Sequence, residues 1–425
     1  MLVVIAGLLL VTGFLALTHA YLLRRLVRDT TDSPVVRRVG LVVAVLLALL
    51  LPATMVGVST GTAEWLAWPG YLWMALWFYL VLYLLVLELP RFLLGRWWRR
   101  GDRRQSQPRD EEPPAPEPEV AEPGASATGA QGAQRPDDTA TDATGNAPGP
   151  SRRLVLSRGL ALGAGALAVG TVGYGTRTAL GGPRVDRQQL VLPRLARRMD
   201  GTRLVVVSDI HLGPLAGRAH VSRIVERIND LDADVVAIVG DLVDGSVERR
   251  GADAGPLARI RARQGTFFVT GNHEYYSGHE EWIDRLSDLG VRTLRNDRTE
   301  LHLRGGVLDL AGVNDLAGEQ ADDGPDLDAA LGDRDPDRPV VLMAHQPVLA
   351  RQAAAFGVDL QVSGHTHGGQ MAPFGQLARL EQPVVSGLGR VDGVPVYVTN
   401  GAGFWGPPVR VGAPPEVSLL ELRAP

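Results

Sequence analysis

Eight side chains between positions 209 and 367 have the types and spacing for metal-assisted chemistry. Asp209 and His211 stand two residues apart, Asp241 follows Gly240, and Asn272 precedes His273. His345 stands alone, and His365 and His367 are again two apart. Asp209-x-His211 places two ligands on one turn, and the carboxylate of Asp241 can bridge two cations. A set of oxygen and nitrogen donors without thiolate suits borderline or hard divalent ions such as Mn, Fe, Zn or Ni. Two such ions roughly 3.5–4 Å apart can hold a phosphoryl group and activate a hydroxide between them. The chain contains no Cys and no Lys. That excludes disulfides, zinc–thiolate and iron–sulfur centres, cysteine nucleophiles, Schiff-base lysines and a phosphate-loop lysine.

These residues need elements to bring them together. Apolar runs predict strands at Thr202–Ser208, Asp234–Val239, Thr266–Thr270, Val307–Val313, Pro339–Ala344, Asp359–Val362, Val394–Thr399 and Val417–Leu422. The Val221, Ile224, Ile228, Leu231 stripe predicts a helix over Ala219–Leu231, and Glu281–Leu289 and Pro347–Phe356 also read as helical. Alternating strands and helices make an α/β domain. Continuous apolar strands imply a sheet covered on both faces. Nearly every residue of the set falls just past the C-terminal end of a predicted strand, the edge at which α/β sheets bind ligands. Taken singly, a histidine after a strand is an ordinary loop residue and Asp241 an ordinary turn cap; the weight lies in the set.

The blocks Asp209-Ile210-His211, Gly240-Asp241-Leu242-Val243-Asp244, Gly271-Asn272-His273-Glu274 and Gly364-His365-Thr366-His367-Gly368-Gly369-Gln370, with His345 between the last two, closely resemble the calcineurin-like metallophosphoesterase family. The last block looks most like its bacterial membrane-linked branch. The resemblance covers roughly residues 200–425. It implies a four-layer sandwich of two mixed β-sheets flanked by helices. One metal would take Asp209, His211, Asp241 and His367, and the other Asp241, Asn272, His345 and His365. Asp241 would bridge the two. His273 would be catalytic, beside the leaving-group oxygen, while a metal-bound hydroxide attacks phosphorus in line. Nearby, Asp244 reads as a loop-shaping or supporting carboxylate. Glu274 and Tyr275 line the opening or simply pack, and Asn314 and Asp315 are candidate supports. The loop Gly401–Arg410 could contact an organic group or phosphate, pack over the metal-site edge, or face the membrane surface, and within it Arg410 is the only residue with a phosphate-binding side chain.

The first 100 residues differ. Leu2–Leu23, Val39–Val58 and Ala67–Leu87 are apolar runs, each near the roughly 20 residues that cross a bilayer. A weaker, Gly-rich run at Gly159–Thr176 follows Arg152 and Arg153. Ser151–Leu156 resembles a twin-arginine export signal, so this run is read as an export leader, an ordinary fourth span or a non-spanning linker. Residues 101–150, rich in Pro, Ala and Glu, read as a disordered linker. The domains are therefore 1–100 membrane region, 101–150 linker, 151–183 leader-like fourth run, and 184–425 metallophosphoesterase domain. Arginines cluster after the first and third runs and before the fourth. By the positive-inside rule those segments are cytoplasmic, which puts the C-terminal domain on the extracytoplasmic side.

The 425 residues balance 43 Lys+Arg against 47 Asp+Glu, a formal charge of −4, which excludes a globally basic nucleic-acid binder. The expected partners are a phosphate-ester substrate, the lipid bilayer and, through the leader, the export machinery. The leading reading is a membrane-anchored dinuclear-metal phosphoesterase; the sequence does not separate monoester from diester substrates, and the membrane runs favour a lipid-linked or envelope substrate, such as a phosphodiester, by proximity. A phosphoprotein phosphatase and a non-catalytic metal-stabilised scaffold are the alternatives. Transport is disfavoured because the first three runs lack paired polar groups.

Overall fold

A computed structural model describes residues 2–105 and 152–425. The linker expected over 101–150 falls outside the described residues from 106 onward, as does Ser151 of the leader-like motif.

The N-terminal block is helical: α1 (Leu2–Leu22, continued by a π-helical turn Leu23–Arg28), α2 (Pro34–Ser59), α3 (Ala67–Gln105) and α4 (Arg152–Leu180). All four are long and apolar enough to cross a membrane. Ser33 caps α2, its hydroxyl accepting from Val36 N, with Pro34 at the first helical position. The fourth run does not break at its glycines. It is one 29-residue helix whose Ala164, Ala168 and Val172 are buried in the cluster formed with Ala75, Tyr79 and Leu84 of α3. Small residues permit that close approach. Tyr83 Oη and Thr171 Oγ1 add a 2.8 Å hydrogen bond between the two helices. At the arginine-rich end Glu88 is paired with Arg25 at 2.7 Å and accepts from Tyr21 Oη at 2.9 Å. Asp29 pairs with Arg25 and Arg91.

The C-terminal part carries twelve strands: β1 (Arg184–Val191), β2 (Thr202–Val207), β3 (Val235–Val239), β4 (Thr266–Val269), β5 (Val291–Thr293), β6 (Asp297–Leu303), β7 (Gly306–Gly312), β8 (Val340–Met343), β9 (Leu360–Ser363), β10 (Gly387–Val391), β11 (Val394–Val398) and β12 (Glu416–Arg423). They form two six-stranded sheets, ordered β1-β12-β2-β3-β4-β5 and β10-β11-β9-β8-β7-β6. Both are mixed. β2, β3, β4 and β5 run parallel with β12 antiparallel to β2; β11, β9, β8 and β7 run parallel with β10 and β6 antiparallel at the edges.

Strand periodicity explains the layering. In β2, Leu204 and Val206 point into the core between the sheets, with Leu310, Val341 and Val362 from the other sheet. Val205 and Val207 point the other way, against Val221, Ile224 and Ile228 of α5 (Arg218–Asn229) and Trp282 and Leu286 of α6 (His279–Asp288). The outer face of the second sheet is covered by Leu327, Leu331, Leu349 and Ala353. Each inner strand is thus apolar on both faces, and the result is the expected four-layer α/β sandwich.

Candidate metal centre

Five strand ends meet at one edge of the sandwich. β2 delivers Asp209 and His211, β3 Asp241, β4 Asn272 and His273, β8 His345, and β9 His365 and His367. The chain turns sharply there. Asp209, His211, Asp241, His365 and His367 all have positive φ, between 50° and 71°. Such backbone is disfavoured for residues with a Cβ and tends to accompany function. The glycines of the motifs are there because the loops nearly touch. A Cβ at Gly364 would run into Ser208 and Asp209, and one at Gly271 into Asp241.

Seven of the eight side chains fall into two groups that share Asp241. In the first, His211 Nε2 and His367 Nε2 are 3.0 Å apart, Asp209 Oδ1 lies 3.4 Å from His367 Nε2, and Asp241 Oδ2 lies 3.9 Å from His211 Nε2. In the second, Asp241 Oδ2 is 3.1 Å from His345 Nε2, and His365 Nδ1 is 3.1 Å from Asn272 Oδ1. Asp209, His211 and His367, and separately Asp241, His345 and His365, present ligand atoms close enough to hold one ion each.

His345 provides the test of whether these residues fit a cation. Its Nδ1 lies 2.8 Å from the carbonyl oxygen of Val239. A carbonyl only accepts, so that nitrogen carries the hydrogen and Nε2 presents a lone pair. Nε2 is buried without a hydrogen-bond partner, although Asp241 Oδ2 stands at ion-pair distance. With the hydrogen on Nδ1, two acceptors face each other at 3.1 Å, as they do around a cation. Without a cation the alternative is a proton: against the pull of burial, Asp241 holds the His345 pKa well above the ordinary value. Asp241 is correspondingly held well below the carboxylate range by His345, overriding its own burial. Buried carboxylates without counter-charge are costly, and here Asp209, Asp241, Glu274 and Asp315 are all buried, with Asp244 partly so. The residues present fit divalent cations.

His273 belongs to neither group. Its Nδ1 lies 2.7 Å from Asp244 Oδ1, which is also 3.1 Å from His211 Nδ1. Burial would lower the His273 pKa, but the hydrogen bond to Asp244 and the charges of Asp241 and Asp244 raise it to about 9. Asp244 itself falls to about 2, because His211 and His273 outweigh its burial. The ring of Trp405 lies 5.7 Å from that of His273 and the ring of Tyr276 5.6 Å, both edge-on.

The structure decides between the readings left open for the neighbouring residues. Glu274 does not line the opening. It is fully buried, accepting from Asp241 N, Leu242 N and Gly271 N at 3.0, 2.8 and 2.6 Å. It ties the β3 and β4 loops together. Tyr275 points away, donating to Asp323 Oδ2 at 2.9 Å; its exposed neighbour Tyr276 is the one at the opening. Asp315 accepts from Gln346, next to His345, while Asn314 donates to Asp323. Arg410 does not face phosphate. It is wholly buried behind His367, donating to the carbonyls of His367, Asn400 and Gly403 and reaching His367 Nδ1 at 3.1 Å. The loop around it does two things: Trp405 covers the site's edge, and Val409 packs with α3 and α4.

A calcineurin-like phosphoesterase family model matches residues 202–369. A "transmembrane protein with metallophosphoesterase domain" from Danio rerio is 38% identical over 59% of this chain and 60% of its own length. The match thus spans less than two thirds of that relative. An uncharacterized metallophosphoesterase from Helicobacter pylori strain J99 is 37% identical over 64% of this chain and 73% of its own. Relatives therefore occur in animals as well as bacteria. Among solved structures, the phosphopantetheinyl hydrolase of Mycobacterium tuberculosis superposes with a TM-score of 0.31 at 15% identity, covering 48% of this chain and 91% of that one.

Proposed function

This chain belongs to the calcineurin-like metallophosphoesterase family, and from that premise we propose that it is a membrane-anchored, metal-dependent phosphoric ester hydrolase. The observation that supports it most is the convergence of seven oxygen and nitrogen ligands in two groups sharing Asp241. Asp209, His211, Asp241 and His367 would hold one divalent cation, and Asp241, Asn272, His345 and His365 the other. When bound, two such ions supply positive charge for the phosphoryl group and acidify water.

The chain's own residues then have distinct tasks. Asp244 orients His211 and holds His273 in its acid form. His273, beside the paired groups and in ring contact with His211, gives its proton to the departing alkoxide oxygen of the ester. Glu274 keeps the Asp241 and Asn272 loops in register. Trp405 and Tyr276 flank His273 and shape the opening. The four candidate spans favour a substrate held at the membrane, a lipid-linked or envelope phosphodiester.

The arginine-rich loops favour an extracytoplasmic domain, and the division into 1–100, 101–150, 151–183 and 184–425 follows from the same reading. The packing of α4 on α3 favours a fourth span at 159–176. Ser151–Leu156 supports the bacterial membrane-linked branch and engagement of export machinery. A reporter fused after Pro425 tests the side: a cytoplasmic signal would overturn it.

The activity is tested on the full chain in detergent with Mn, Fe or Zn, against phosphodiester, phosphomonoester and phospholipid substrates. Hydrolysis is expected, abolished in Asp241→Asn and reduced about 10²–10⁴-fold in His273→Ala. Turnover unchanged in both variants would overturn the proposal.

A further inference from the structure

The C-terminal domain does not stand clear of the helices; it reaches down along them. Tyr79 Oη donates to the carbonyl of Ala372 at 3.1 Å, and the rings of Phe78 and Phe374 stack with centroids 4.7 Å apart. Met371 and Val409 share a cluster with Tyr79, Leu80, Ala168 and Val172. Arg410 N donates to Gly175 O at 3.0 Å.

The depth of this contact follows from the helix rise. Glu88, Arg25, Asp29 and Arg91 form one ionic layer, which marks one face of the hydrocarbon. Phe78 stands ten residues before Glu88 on the same helix, about 15 Å of rise, or half of a roughly 30 Å hydrocarbon core. Its side chain leans toward the N-terminus, but Phe374 still lies well inside the leaflet on the domain's side. Tyr71, seventeen residues before Glu88 and about 25 Å away, is close to the outer boundary. A Cβ at Gly406 would touch its ring, so the Trp405 loop sits at that boundary.

The segment carrying Phe374 is exposed and apolar. Leu377 is 58% and Leu380 81% exposed, as open as the span residues Leu46 and Leu49 at 61% and 60%. Arg379 between them is exposed as well and long enough to reach the head groups while its stem stays in the lipid. Beside α3 this edge continues the exposed apolar surface of the spans.

We propose that the Met371–Leu380 edge of the C-terminal domain is seated in the acyl layer of the adjacent leaflet, with Leu377 and Leu380 in lipid and the Trp405–His273 opening at the bilayer surface. The partner is the lipid bilayer itself, not a protein. A groove of about 550 Å³, lined by Pro373, Gln376, Arg379, Val384 and Arg390, runs from this edge to Gly368, beside His367. The seating needs neither bound metal nor turnover.

The chain has no Cys, so single cysteines can be spin-labelled without background. The full chain in liposomes would carry a nitroxide at Leu377→Cys or Leu380→Cys. Leu46→Cys on α2 is the lipid control. His302→Cys, exposed on β6 at the end of the sandwich away from the ligands, is the water control. A charged nickel chelate is excluded from hydrocarbon and oxygen is not, so the oxygen-to-nickel accessibility ratio at 377 and 380 should match that at 46. It should exceed that at 302 by about tenfold or more. A ratio at 377 and 380 equal to that at 302 would overturn the proposal. If either variant fails to assemble, Gln376→Cys reports on the same layer with the same two outcomes. A phosphoesterase failure would leave these ratios untouched, so the two readings fall separately.

Discussion

His273 and Asp244 are joined by a 2.7 Å contact from Nδ1 to Oδ1, and the same oxygen also holds His211 at 3.1 Å. One carboxylate thereby orients a residue expected to bind metal and one expected to move a proton. Asp244→Asn keeps the shape and removes the charge. The raised His273 pKa means its acid form persists until the pH rises through about 9, less whatever bound cations take away. In Asp244→Asn the alkaline limb of the pH–rate profile is expected to move to lower pH, with turnover down about 10²-fold or more. A limb that stays in place would show that Asp244 does not set the His273 proton.

Glu274 accepts three backbone N–H groups in a site without water access. Glu274→Gln turns one acceptor into a donor facing a donor. A loss of about 1–3 kcal/mol is expected, read as a lower melting temperature, together with weaker Mn binding because the Asp241 and Asn272 loops loosen. Unchanged melting and Mn affinity would contradict that role.

Arg410 is buried with several carbonyl oxygens as its partners. Arg410→Met removes the charge and leaves those carbonyls unpaired. A loss of about 1–3 kcal/mol for buried acceptors left unsatisfied is expected, visible in thermal melting of the detergent-solubilised chain. A melting temperature equal to wild type would contradict it.

His220 is buried on α5, and burial, then the charges of Arg223 and Arg410, push its pKa down to about 4. An unfolded histidine titrates near 6.5. The folded state therefore favours the neutral ring, and this contribution is complete above pH 6.5 and lost as the pH falls toward 4. The loss amounts to roughly 2 kcal/mol by pH 5. With chelator present, the drop in melting temperature from pH 7 to pH 5 should be smaller in His220→Gln than in wild type. Equal drops would contradict the assignment.

The sequence revealed the sheet interiors and missed their borders. The four strands not foreseen, β1, β5, β6 and β10, are the four edges of the two sheets. An edge strand buries little, so it keeps polar residues and shows no apolar run; β1 reads Arg-Val-Asp-Arg-Gln-Gln-Leu-Val. Inner strands such as Val235–Val239 are buried throughout and announce themselves. The expected ligands were legible because each follows such a strand. Glu274 and Arg410 were not, because their partners are backbone groups of loops whose approach depends on the whole sandwich. The docking of Phe374 on Phe78 was hidden for a similar reason: the two residues are 296 positions apart, and no local pattern links them.

The proposed hydrolase requires Asp241 to be shared by two cations. Anomalous scattering from crystals of the full chain loaded with Mn tests this most directly. Two peaks are expected about 3.5–4 Å apart, one against Asp209, His211 and His367, the other against Asn272, His345 and His365, both within reach of Asp241. Asp241→Asn should remove at least one. Crystals with no peak at this cluster, or with Mn bound only elsewhere, would contradict the metal centre and the hydrolase built on it.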